Sequence, residues 1–161
     1  MGGIAGPTKY GLCMTSEGKF LSNFPTFVDS KMNKLQHINY WLKSSDKDLE
    51  VLLYLMKGKK YVHALFFGHL YLEKICKALW VKKHKENHPP KIHNLVRILE
   101  LAEIKLENND MEFLDLLNWF QIEGRYPDYV NNLVKETNKH LAEQYVRHIK
   151  SIAKCLKEKL Q

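Results

Sequence analysis

Long apolar runs, cysteine, glycine and proline are all scarce in this chain of 161 residues, and each scarcity excludes something. No stretch approaches the roughly 18 uninterrupted apolar residues of a membrane span. The longest apolar region, near Tyr61–Leu72, is broken by His63, Gly68 and His69, so no membrane association is expected. The start has no basic segment followed by an apolar one, so secretion is not indicated. Cys13, Cys76 and Cys155 are odd in number, far apart and in no C-x-x-C pair. A disulfide framework or a cysteine zinc knuckle does not fit them, and a reducing, cytoplasmic setting is expected. Eight glycines and 5 prolines leave little room for a turn-dense all-β architecture. The glycine-rich phosphate loops G-x-x-x-x-G-K-[ST] and G-x-G-x-x-G, the zinc helix H-E-x-x-H and the nucleophile elbow G-x-S-x-G are all missing. His84 and His88 share a helical spacing and His93 follows, but no third ligand stands at a matching distance, so no metal is expected.

What is present is a soluble composition, 45% hydrophobic and 27% charged, of a size that suits one domain with a single core. Lysine and arginine total 25 against 18 acidic residues, a net charge of +7 that favours acidic partners such as nucleotides, nucleic acid or an acidic protein. The surplus is uneven. Residues 98–130 hold eight carboxylates against only Lys105 and Arg125, so the positive surface is to be sought elsewhere, at Lys82–Lys91 and along the last helix.

Residues 1–31 are rich in Gly, Ser, Thr and Pro and show no period, which reads as a flexible leader, part of it able to dock through Phe20, Leu21, Phe24 and Phe27. Met14 and Met32 each offer an alternative start, which leaves the leader open to being an extension. From residue 32 to residue 161 a 3.6-residue period dominates and predicts an all-α, mostly antiparallel, up-and-down bundle of about five helices. The first carries Ile38, Trp41, Leu42, Leu49, Leu52, Leu53 and Met56 and ends near Gly58. A second, about Lys60 to His84, is apolar nearly all round, which places it at the centre of a bundle or between a core and a partner. On that ground a two-fold partner is expected to cover its surplus. Pro89-Pro90 breaks the helix. A third is predicted from Ile92 or His93, a fourth with Asp110 as its N-cap, and a fifth from about Leu133 to Leu160.

Three groups of residues could carry chemistry. The turn Trp80–His93 holds Lys82, Lys83, Lys85 and Lys91 against Glu86 alone and leads into a helix start, so it forms either a phosphate-attracting rim or a solvated loop with His93 as cap or packing residue. Arg125 lies in the Gly/Pro break Gly124–Asp128, where its planar fork suits phosphate or carboxylate, or a structural ion pair with a neighbouring helix. Tyr126 there either stacks on a base or plugs the bundle end. His69, Glu73 and Lys77 recur at i, i+4, i+8; they either line a site or form a surface ion pair, and the surface pair is the favoured expectation.

The segments Tyr40–Leu49, Tyr61–Phe67, His69–Leu79, Pro89–Leu95 and Arg125-Tyr126-Pro127 together resemble the HEPN (higher eukaryotes and prokaryotes nucleotide-binding) family, in order and spacing, over residues 38–157. The resemblance implies a five-helix bundle, often a homodimer, frequently paired with a minimal nucleotidyltransferase, and involved with nucleotide or RNA. Many members are RNases with an Arg-x(4–6)-His motif. Arg125 matches the Arg, but Val130, Asn131 and Asn132 occupy the His position and the next histidine is His140. An RNase needs a general base or acid at the ribose, so the Arg-Tyr-Pro form looks like the non-nuclease branch. The expectation is therefore a non-catalytic, dimeric domain that binds a nucleotide or a partner, with no catalytic residues and no obligatory cofactor. Arg125, Lys77, Lys82 and Lys83 are assigned to phosphate, Tyr126 to the base and His93 to orientation. The alternative is a toxin-like RNase that uses His93 or His140 with Arg125.

Overall fold

Asn33 starts the first helix. Its side-chain oxygen accepts the Gln36 N–H at 2.9 Å while the Gln36 side chain accepts the Asn33 N–H at 2.8 Å, a reciprocal cap that satisfies two otherwise unpaired donors. The computed structural model describes residues 32–123 and 136–161. Among them are five helices and no strand: α1 (Lys34–Lys57), α2 (Tyr61–Lys83), α3 (Leu95–Leu101), α4 (Asn108–Glu123) and α5 (Lys139–Glu158). The expected all-α bundle is what forms. The leader and the Gly124–Asp128 break, with Arg125 and Tyr126, lie outside the described residues.

α1 and α2 form an antiparallel hairpin that brings Lys34 Nζ to the His84 carbonyl and Lys74 Nζ to Asp48. The turn between them does not use Gly58 as its left-handed residue. Gly58 has φ −75, and Lys59 takes the positive value, φ 57. The Lys60 N–H then reaches back to the Leu55 carbonyl at 2.9 Å, closing the helix end with its carbonyls satisfied. α3 ends the same way, with Glu103 at φ 55 and the Ile104 N–H on the Leu99 carbonyl at 2.9 Å. Each left-handed non-glycine residue costs about 1–2 kcal/mol, so both turns persist because the helices on either side are anchored.

Three boundaries differ from those the sequence predicts. α3 starts at Leu95 rather than Ile92 or His93, because the Asn94 side chain caps the Arg97 N–H at 2.8 Å and the residues after Pro89-Pro90 stay non-helical. α4 starts at Asn108, so Asp110 is not the cap; it sits in the first turn and holds His148 at 2.7 Å. α5 starts at Lys139 rather than Leu133, since Asn138 turns its side chain onto the Leu141 N–H at 3.0 Å and so begins a new helix. Residues 133–135 lie outside the described set.

α2 is the axis of the fold, packed against each of α1, α3, α4 and α5. Leu65, Leu72, Ile75, Cys76 and Leu79 are fully buried along it, together with Leu52 of α1, Leu95 and Leu99 of α3, Leu114 and Leu117 of α4, and Ile149 of α5. Much of the apolar surplus of α2, including Tyr71, Ile75 and Ala78, is thus buried among the described residues, while Tyr61, Phe66, Phe67 and Leu70 stay half-buried. α4 runs antiparallel to α5, with Asp110 at His148 and Phe120 at Tyr145, whereas α5 runs in the same direction as α2, with Gly68 near Ile149 and Lys82 at the Lys159 carbonyl. Gly68 permits the close approach of three helices: a Cβ there would stand 2.6 Å from Ile149 Cδ1 and 3.2 Å from Leu52 Cδ1. Cys76 is buried and unpaired, and burial pushes its thiol pKa up, so it behaves as a small apolar residue. Among the described residues no helix is long and apolar enough to cross a membrane.

Candidate functional site

The helical spacing of His69, Glu73 and Lys77 puts all three on one face of α2. That face is turned into the bundle, where the side chains are 0%, 7% and 8% exposed. Glu73 is the hub. Its Oε1 receives the Lys77 ammonium at 2.6 Å, and its two oxygens lie 3.2 and 3.1 Å from His93 Nδ1. The ion pair that the sequence suggests thus forms, but within the bundle rather than on its surface. Lys77 Nζ also lies 5.3 Å from the centre of the Trp41 ring, so a cation–π contact from α1 completes the shell of this charge.

His69 ends the network on the other side. The side-chain oxygen of Asn118, on α4, accepts the Leu95 N–H at 2.9 Å and lies 3.3 Å from His69 Nε2. Because that oxygen is an acceptor, His69 Nε2 carries the proton and donates to it. Nδ1 is left with a lone pair and no hydrogen-bond partner, 3.8 Å from a Glu73 oxygen. Burial, the largest influence, lowers the His69 pKa to about 4, although Glu73 and Asn118 pull it the other way. The ring is therefore neutral at pH 7. Asn118 ties α4 to α2 and caps the first N–H of α3 with one oxygen. A second pair stands on the neighbouring face of α2: Lys74 Nζ lies 2.6 Å from Asp48, whose carboxyl pKa is raised by burial against the opposing pull of Lys74.

The other predicted site residues scatter. Lys82 donates to the Lys159 carbonyl at 3.2 Å, and Lys83, Lys85 and Lys91 are exposed on the turn after α2. Among the described residues none of these four has a carboxylate within 4.0 Å, so the turn keeps its positive charge. His84 stacks flat on Trp80, centres 4.0 Å apart, and its Nδ1 bonds the Trp80 carbonyl; His88 meets His37 edge to face. His93 joins the turn to the cluster: its Nδ1 is on buried Glu73 while its side chain is 48% exposed. His140 is exposed and paired with Gln144. Among the described residues no group of three or more His, Cys, Asp or Glu side chains is arranged to hold a metal.

Asn118, Asp48 and Trp41 are parts of the network that spacing arguments on α2 alone miss. Asn118 had a signal: it is a polar residue four positions after Leu114, within the apolar stripe of α4.

An all-α bundle threaded on one apolar helix, with a buried acid at its centre holding a lysine and a surface histidine, is the class that fold and site define. The HEPN domain family matches residues 38–160, and the chain belongs to that family. Comparison with curated proteins gave no match, and comparison with solved structures gave none.

Proposed function

We propose that this HEPN domain is a non-catalytic module that binds the phosphate of a nucleotide or RNA at the turn between α2 and α3. The observation that carries the reading is the division of the lysines. Lys77 is buried and already neutralised by Glu73, so the phosphate role passes to Lys82, Lys83, Lys85 and Lys91, which are exposed and clustered without carboxylate partners among the described residues. Glu73 fixes His93 at the edge of that rim, in the orienting role assigned to it. Arg125 and Tyr126 join the proposal as a second phosphate and base contact. Family membership supports the remainder, a homodimer that pairs with a minimal nucleotidyltransferase.

Calorimetric titration with ATP, GTP and a short single-stranded RNA tests it. Binding is expected to weaken in a Lys83→Glu, Lys91→Glu variant, and for RNA the dependence of log K on log salt is expected to lose about one unit of slope per lysine removed. No heat with any of the three would end the reading.

One geometry favours the RNase alternative. The His93 Nδ1–H points at a buried carboxylate, which leaves the opposite ring edge as the exposed one, the arrangement of an oriented general base. Cleavage of tRNA or mRNA that disappears in both His93→Ala and Arg125→Ala would establish it; an inert wild-type chain across pH 5–9 would dismiss it.

A further inference from the structure

α4 presents an outer face that the bundle does not use. Leu116, Trp119 and Ile122, spaced by three residues, are 41%, 58% and 46% exposed, which makes a continuous apolar ridge along the C-terminal half of the helix. Most exposed large side chains occur singly, whereas a ridge of three that includes a tryptophan marks an interaction surface. Beside it runs a groove of about 230 Å³ that is lined by Leu116, Trp119 and Phe120 on α4 and by Glu136, Leu141 and Tyr145 across from it. Phe120 and Tyr145 meet edge to face and give the groove a rigid aromatic floor.

Charge identifies what fits there. α4 contains no lysine, arginine or histidine. Exposed Glu112 and Asp115 stand on the same face as the ridge, and exposed Glu136 lines the groove. This is the acidic part of a chain whose net charge is +7. A nucleic acid is repelled by such a surface. A second copy joined about a two-fold axis through this ridge would bring both sets of carboxylates into one small interface, and α4 supplies no cation to offset them.

We propose that the α4 ridge is a docking surface for a basic amphipathic helix of another protein, its apolar side chains seated on Leu116, Trp119 and Ile122 and its lysines or arginines facing Glu112, Asp115 and Glu136. Helix-in-groove recognition uses this combination of spaced apolar anchors and complementary flanking charge. The surface is distinct from the lysine-rich turn proposed for phosphate, so either site can fail without the other.

The test uses the whole chain and two synthetic 14-residue amphipathic peptides with the same leucine positions, one filled with lysine and the other with glutamate. The lysine peptide is expected to bind saturably with a blue shift of tryptophan emission, and the glutamate peptide is expected not to bind. Trp119→Ser and Leu116→Ser, both changes at exposed positions that leave the core intact, are expected to weaken the lysine peptide by about tenfold or more. Lys83→Glu, Lys91→Glu is expected to leave its affinity unchanged. Unchanged affinity in the Trp119 and Leu116 variants, or no binding of the lysine peptide at all, would overturn the proposal. So would sedimentation showing a wild-type dimer that Trp119→Ser converts to monomer, because a second copy would then be the occupant.

Discussion

Glu73→Leu is expected to lower the unfolding free energy by about 3–5 kcal/mol. The loss comes less from the removed attraction than from what is left behind. Lys77, nearly buried and held by Glu73 at 2.6 Å, would keep a charge with no counter-ion, and His93 would lose both oxygens that hold its Nδ1. The same reasoning predicts a recovery. In Glu73→Leu, Lys77→Met both charges are gone and the space is refilled by apolar groups of similar size, so the double variant is expected to be more stable than Glu73→Leu. Urea unfolding of wild type, both single variants and the double variant gives the coupling directly. Additive losses would show that Glu73 and Lys77 act independently, contrary to their contact.

Acidification from pH 6.5 to pH 4 is expected to cost the domain about 3 kcal/mol of stability through His69 alone, at about 1.4 kcal/mol per pH unit. The direction follows from the burial of the ring. The histidine pKa falls from 6.5 to about 4 on folding, so between these values the unfolded chain binds a proton that the folded chain refuses. Stability is full above pH 6.5 and drains as the pH drops toward 4. His37, whose pKa burial also lowers, with a smaller push from His88, adds to the trend in the same direction. Asp48 works against it at the acid end, because its raised pKa means that the folded state takes up a proton more readily there. Denaturation midpoints measured from pH 4.5 to 7.5 should show the slope in wild type and a much flatter profile in His69→Gln. Parallel profiles would mean that the His69 ring stays protonated in the fold, with Nδ1 donating to Glu73.

Why His69 needs tertiary structure to be understood shows where sequence reading stops. Its position on α2, one turn from Glu73 and two from Lys77, follows from spacing, since 3.6 residues per turn is a property of the backbone alone. The same spacing holds whether the face is wet or dry. What dries it is the arrival of Asn118 from α4 and His93 from the turn before α3, residues 49 and 20 to 24 positions away whose approach no local period encodes. Trp41 is a similar case, its ring placed under the Lys77 ammonium by the packing of α1 on α2.

The scarcity of long apolar runs, the 3.6-residue period after residue 32, the break at Pro89-Pro90 and the five motifs in register were enough to determine an all-α bundle of the HEPN family, with α2 either at its centre or between the core and a partner. Those features are local, or repeat at a fixed interval, and so are written along the chain. The helix starts at Asn94 and Asn138 were harder to see, because a capping asparagine competes with its neighbours and wins only when its side chain is turned onto the right N–H. Tertiary structure alone decided that much of the apolar excess of α2 is buried against its neighbours and that an exposed apolar ridge lies on α4. It alone decided that Lys77 is spent on Glu73 while the lysines after α2 are exposed with no carboxylate partner among the described residues. Burial is a property of how several helices meet, and a single helix cannot specify which of its faces the others will cover.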